Sequence, residues 1–323
     1  MPSSLCFARA LIASLCLCPV AFEATAQAWP VKPIHLIIPT APGGGTDALG
    51  RALGDALAAS LKQPVVIINK AGASGAIASE MLVRSPADGY NLQVVQNGHG
   101  LNPAIFKKLP YDTFKDFTPI APLGRSPMVL VAGSATGVKT IKELTELGKR
   151  TPLAMSFGAA ETSTGLATEM ISGAAGVRLT VVNYKGTGPV MSDLAGGHVN
   201  FSVTTIASTL AMRGSGKFNY VALLAPQRSP FLPEVPTLAE QGLPDVEASA
   251  WWGVLGPANM PRPLVQQLSA AIRAALDDPA IKKRLAVLSI EPWTASPDDF
   301  DKFIRKDVEL NLALARQAGI EPE

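Results

Sequence analysis

The sequence predicts an α/β fold of two lobes facing each other across a central cleft, with two interdomain crossovers, and three observations carry that prediction. Short β-branched runs alternate with helical patterns in two blocks, residues 34–84 and 153–224, which is the rhythm of βαβ units in a parallel sheet. Residues 120–131 and 246–257 read as extended chain between and after these blocks, so they are the candidate crossovers. A helical tail follows the second crossover and is placed to pack back on the first block.

Taken in order, the chain opens with Arg9 and the apolar run ALIASLCLCPVAF, which ends among the small residues Ala24, Ala26 and Ala28. This reads as a secretory signal peptide, residues 1–26, and the run is too short to span a bilayer. All three cysteines, Cys6, Cys16 and Cys18, fall inside it, so the mature chain is expected to hold no disulfide and no cysteine metal site. Leu17 is bulky where a lipidated Cys18 would need a small neighbour. The remaining chain of about 295 residues suffices for two domains of ordinary size. Its net charge of +2 carries no nucleic-acid footprint, and no later apolar run is long enough to cross a membrane.

The first block reads as strand IHLIIP, a helix over 47–61, strand VVIIN and a helix over 75–84. In the second block LAMSF, LTVVNY, VNFSV and NYVALL read as strands with helices between them. In the tail Leu264, Leu268, Ile272 and Leu276 recur every four residues, and Ser296-Pro297-Asp298-Asp299 opens the last helix with good capping chemistry. These elements give a discontinuous lobe, 29–122 plus 250–323, and a continuous one, 123–249. Hinge closure around a ligand suits that arrangement, and a closing clamp is expected to be a monomer.

Chemistry concentrates where strands run into helices. Pro42-Gly43-Gly44-Gly45-Thr46-Asp47 allows a tight turn with exposed N–H groups at a helix N-terminus, where a carboxylate or phosphate can sit. The alternative is a plain turn with Asp47 as helix cap. The loop lacks a P-loop lysine and dinucleotide spacing. Gly72-Ala73-Ser74-Gly75, Thr162-Ser163-Thr164 and Gly186-Thr187-Gly188 repeat the pattern and add hydroxyl donors, so an acid could be held without arginine. His35, His99 and His198 form no metal-ligand pair, so neither metal nor cofactor is expected, and only His99, in Asn97-Gly98-His99-Gly100, is a candidate for lining the cleft. No GxSxG elbow or mature-chain cysteine supplies a nucleophile, which speaks against an enzyme. Tandem Trp251-Trp252 lies on a crossover and reads as hinge packing rather than ligand stacking.

The ordered motifs WPVKPIHLIIP, PGGGTD, QPVVIINKAGASG, ADGYNL, LNPAIFKKLPYDTFKDFTPI, NYKGTGPVMSDLAGGHV, RSPFLPEVPTLAEQGLP, SAWWGVLGP and SPDDFDKFI span nearly the whole mature chain. Together they resemble the Bug-type periplasmic substrate-binding proteins of tripartite tricarboxylate transport systems. The resemblance implies a type II periplasmic-binding fold, a small carboxylate ligand and delivery to membrane permease subunits. A sensor kinase is the alternative client. It also implies a ligand gripped by residues 40–46 and 159–164, partly through water and backbone groups. The candidate ligand set is therefore Thr40, Ala41, Gly44, Gly45, Thr46, Ser74, His99, Ala160, Glu161, Thr162, Ser163, Thr164, Gly186, Thr187 and Thr204.

The chain departs from the family pattern at informative places. Thr40-Ala41 stands for a common Phe-Pro, Glu161 for a glycine, Gly165 for a frequent histidine and Thr204 for a frequent aspartate. Loss of the aromatic at position 40 is expected to widen the pocket. Glu161 would repel a carboxylate by about 1 kcal/mol or more in a partly desolvated cleft. Either it meets a cationic or hydrogen-donating part of the ligand, or it turns outward as a helix cap.

Overall fold

The computed structural model describes residues 29–151, 155–160, 162–184, 186–210, 212–244, 246–317 and 319–322. The signal-peptide reading, residues 1–26, and Glu161 lie outside the described residues.

Among the described residues, ten strands form one curled, mixed sheet in the order β2-β1-β3-β9-β4-β7-β5-β6, with β8 and β10 also paired to β4. The strands are β1 Ile34–Ile38, β2 Val65–Asn69, β3 Asn91–Gln96, β4 Phe117–Gly133, β5 Ser156–Ala159, β6 Thr180–Asn183, β7 Phe201–Thr205, β8 Phe218–Leu223, β9 Ser249–Pro257 and β10 Glu291–Pro292. The helices are α1 Gly45–Leu61, α2 Ala76–Val83, α3 Gly98–Ile105, α4 Ile141–Arg150, α5 Thr162–Ala175, α6 Thr187–Gly196, α7 Ile206–Leu210, α8 Arg262–Asp277, α9 Pro279–Val287 and α10 Pro297–Gln317.

Each block is parallel inside, β2-β1-β3 in one and β7-β5-β6 in the other. The expectation of a simply parallel sheet is corrected at the join, where β9 pairs antiparallel with β3 and with the first part of β4. The second part of β4 pairs antiparallel with β7 and β8. The physical reason is the crossover itself. A single 17-residue strand, β4, leaves one block and enters the other, so its neighbours on both sides meet it from the opposite direction.

β1 forms where branched residues fill a covered surface, with Ile34, Leu36, Ile37 and Ile38 fully buried, while β2 at the sheet edge is branched but only partly covered. α1 and α8 close over this block through Leu49, Leu53, Leu57, Leu268 and Ile272, so the tail does return to it. α10 closes the same block from another side through Phe300, Ile304 and Val308, against Trp251 and Leu255 of β9. Gly253 is needed there, because a Cβ at that position would enter the Phe300 ring. The second block centres on stacked Phe157 and Phe201, 5.0 Å apart, under α4 and α5.

Candidate ligand-binding cleft

The register of the two crossing strands locates the cleft. β3 ends at Gln96, opposite Trp252, which is itself opposite Gly124. β7 ends at Thr205, opposite Met128. Since β3 runs along β4 and β7 runs against it, their C-terminal ends point toward each other across the four-residue step from Gly124 to Met128. At about 3.3 Å per residue the gap is about 13 Å. Strands β1 and β5 lie parallel to β3 and β7, so the loops after all four open toward this gap. Open α/β sheets present their ligand-binding loops at such strand ends.

On the first wall the loop after β1 is tied down at both ends. Asn69, at the end of β2, donates to the Thr40 carbonyl at 3.0 Å and to Asp47 Oδ1 at 2.8 Å. Asp47 Oδ2 accepts from Gly43 N and from Arg51 Nε, both at 2.9 Å. The Arg51 hydrogen bond, then those from Gly43 and Asn69, outweigh burial and hold the Asp47 carboxyl at about 2. Asp47 is therefore not the helix cap the sequence allowed. The cap position belongs to Gly44, which has no side chain to offer.

The first turn of α1 thus has N–H groups without intrahelical partners and no side-chain cap, beside exposed Ala41, Gly43, Gly44 and Gly45. A Cβ on Gly43 or Gly44 would touch nothing within 4 Å, so the turn faces open space. Gly43 has φ +92°, which explains a glycine there. The arrangement leaves backbone donors and the positive helix end facing open space, fixed from behind by Asp47 and Asn69.

Thr46 is committed inward. Its hydroxyl donates to Gln96 Oε1 at 2.7 Å and accepts from Trp252 Nε1 at 2.9 Å, tying α1 to β3 and to the crossing strand β9. Gln96 was not among the sequence candidates, because it closes β3, whose sequence NLQVVQ mixes polar with apolar residues and gives no local signal. Asn97 was likewise not singled out. It accepts from Trp251 N at 2.7 Å and donates to the Ser249 carbonyl at 2.9 Å, fastening the end of β3 to the crossover.

Ser74 is exposed in a left-handed run, with φ +129° at Gly72, +46° at Ala73, +49° at Ser74 and +90° at Gly75. Two non-glycine residues in that region cost on the order of 1 kcal/mol or more each, the kind of strain that ligand loops retain. His99 is buried, 4 % exposed, and lines a void of about 10 Å³ with Ser74, Gln93 and Gln96. It stands behind the wall rather than on the open cleft. Burial lowers its pKa to about 4, so the ring is neutral at physiological pH.

On the second wall β5 ends at Ala159, and Ala160 N donates to Thr164 Oγ1 at 3.1 Å across the entry to α5. Ala160 and Ser163 are partly exposed and Thr164 is buried. Gly186 caps α6 at φ +112° without a side-chain bond, and no atom lies within 4 Å of a Cβ on Gly186 or Gly188. Thr187 opens the helix, partly exposed. Thr204 is buried in β7, one residue before its end.

Comparison with known proteins decides the family. The model of the tripartite tricarboxylate transporter family receptor matches residues 49–320. The chain belongs to that family. BugT of Bordetella pertussis is 32 % identical over 304 residues, covering 93 % of each protein. The periplasmic binding protein BugD superposes with a TM-score of 0.70 at 31 % identity, over 91 % of this chain and all of the other. An R. palustris protein solved with adipate gives 0.74 at 29 %, covering 91 % and 100 %. MatC of Rhodopseudomonas palustris, solved with bound malate, gives 0.70 at 29 %, covering 88 % and 99 %. The fold is accordingly the two-lobed periplasmic-binding type, and the family is one of substrate-binding receptors, not enzymes.

Proposed function

We propose that this receptor is exported by a cleavable signal peptide, residues 1–26, captures a small dicarboxylate outside the cytoplasmic membrane, and delivers it to the membrane permease subunits of a tripartite tricarboxylate transporter. The observation that carries the reading is a pair of helix N-termini without a side-chain cap, α1 at Gly44 after β1 and α6 at Gly186 after β6, whose strands run parallel to the two that converge on the gap. Backbone N–H groups of residues 44–46 take one carboxylate, and those of 186–187 with the entry to α5 at 160–164 take the other. Each is an anion seat of the helix-terminus kind. Ser74 and Thr204 complete the walls, His99 supports the first from behind, and Thr40 and Ala41 leave room at the mouth.

The adipate and malate found in two relatives support a dicarboxylate as the class. The lobes, 29–122 plus 250–323 and 123–249, close on it by bending β4 and β9, and the protein acts as a monomer. Glu161 meets a hydrogen-donating or cationic group of the ligand.

A ligand that binds only the folded protein raises stability by RT ln(1 + [L]/Kd), about 2.7 kcal/mol at 100 Kd. Thermal melting against straight-chain, hydroxy- and amino-dicarboxylates should give at least one saturable rise. The reading fails if no acid shifts the melt and mass spectrometry of the denatured protein finds no co-purified acid.

A further inference from the structure

Behind the first wall, buried polar side chains stand beside the apolar packing of α2 and α3 on the sheet. Ser79, Gln93, His99 and Asn102 are each no more than 4 % exposed. Part of the group is satisfied, since Gln93 Nε2 donates to Ser79 Oγ at 3.2 Å and Asn102 Nδ2 to the Tyr111 hydroxyl at 3.0 Å. Gln93 Oε1 and both ring nitrogens of His99 have no partner among the described residues. A buried polar group left without a partner costs more than the bond would contribute, so these atoms point to an occupant.

His99 and Gln93 border one void of about 10 Å³, whose other walls include Ser74, Ser79 and Gln96. That volume is far below any organic ligand site and lies at the lower bound for a single water, about 10–15 Å³. A buried water needs two to four polar partners, and the walls supply them. The neutral His99 ring offers one N–H donor, and Gln93 Oε1 offers an acceptor. Tyr111, stacked at 6.3 Å, and Phe117, edge-on at 4.9 Å, fix the plane of the ring.

The void lies against the one loop of this wall that carries strain. Ala73 and Ser74 are left-handed, with φ +46° and +49°, a state that persists only where the surroundings impose it. α3 supplies part of that constraint. A Cβ on Gly98 would overlap the Ser74 carbonyl, and Asn102 Nδ2 reaches the same carbonyl at 3.4 Å.

We propose that this void is a binding site for one water molecule, which accepts from the His99 ring, donates to Gln93 Oε1 and braces the loop 72–75 from behind. His99 is a positioning residue: it acts on the loop through the water and does not touch the ligand. The water site stands without the proposed function, and only the loop's place in the ligand wall rests on that reading.

A crystal structure of the wild-type protein at high resolution should show one ordered water within about 3.2 Å of a His99 ring nitrogen and of Gln93 Oε1. A dry void overturns the site. Hydrogen exchange tests the brace, because Gly75 N donates to the Gly72 carbonyl and Ala76 N to that of Ala73, giving protected amides inside the loop. His99→Leu, which brings neither donor nor acceptor, should speed exchange at Gly75 and Ala76 at least tenfold while β5 and β7 exchange as in the wild type. His99→Gln, which keeps one of each, should restore most of the protection. Exchange at 75–76 that is unmoved in His99→Leu, equally raised in His99→Gln, or raised across the whole chain overturns the brace. No carboxylate enters either experiment, so their failure is distinct from a failure of the melting screen.

Discussion

Replacing Asp307 by asparagine should stabilise the protein, and by an amount that depends on pH. Asp307 lies on α10, its carboxyl buried against Trp251 and Asn311. Desolvation, only partly offset by those two hydrogen bonds, raises its pKa from 3.8 to about 7. A folded-state value above the unfolded one means that the native protein binds this proton more tightly. Its contribution is therefore fully present below about pH 4 and is lost as pH rises to about 7. At 1.36 kcal/mol per pH unit the loss amounts to about 4 kcal/mol in the ionised protein. Asparagine keeps an oxygen for Trp251 Nε1 and carries no charge to desolvate. Urea unfolding of wild type and Asp307→Asn should give nearly equal stabilities at pH 4 and a variant more stable by up to about 4 kcal/mol at pH 8, most of the difference developing between pH 5 and 7. A stability difference that stays constant from pH 4 to 8 would refute the burial argument.

Three further outcomes follow from the same contacts. Thr46→Val removes the partner of both Gln96 and Trp252; it should cost about 1–3 kcal/mol in chemical denaturation and alter Trp252 fluorescence before any ligand is added. Gly253→Ala forces a methyl into the Phe300 ring, and overpacking should cost about 1–3 kcal/mol, read as a lowered melting temperature with no matching loss of affinity. Glu161→Gln should change the rank order of ligands in the melting screen, strengthening simple dicarboxylates relative to those with an amino group. An unchanged order would remove Glu161 from the site.

Much of the architecture was legible because burial left a local signature. β1 and β2 announce themselves as branched runs, and α8 repeats an apolar residue every four positions, with Leu268, Ile272 and Leu276 buried. β3 escaped notice because its sequence NLQVVQ mixes polar with apolar residues, yet Gln93 is buried and donates to Ser79 Oγ at 3.2 Å. α4 carried an unused signal, since Thr140 and Glu143 form a complete capping box. The antiparallel pairing of β4 and β9 was not legible, because strand direction depends on partners far along the chain.

The cleft divides in the same way. The glycine turns at 43–45 and 186–188 can be read from the sequence, since a backbone that must expose N–H groups and adopt positive φ selects glycine. What the turns are fastened to cannot. Thr46 looks like a ligand hydroxyl until its partners, 50 and 206 residues away, are seen. Asp47 looks like a cap until Asn69 and Arg51 are seen to hold it. Nothing in the sequence singles out Asp307, yet it is partly buried, and Gly100 of α3 approaches it so closely that a Cβ there would overlap its carboxyl.

The central claim is that the bare N-terminus of α1 seats a ligand carboxylate, and Gly44→Asp tests it directly by calorimetric titration with the best acid from the melting screen. Gly44 has extended backbone angles of −80° and 171°, and a Cβ there meets no atom within 4 Å, so aspartate fits as an ordinary helix cap. The account predicts opposite changes: stability equal or higher by a few tenths of a kcal/mol, and affinity at least tenfold lower, because the cap takes the N–H groups and repels the acid. Full affinity retained in a stably folded Gly44→Asp protein would contradict it.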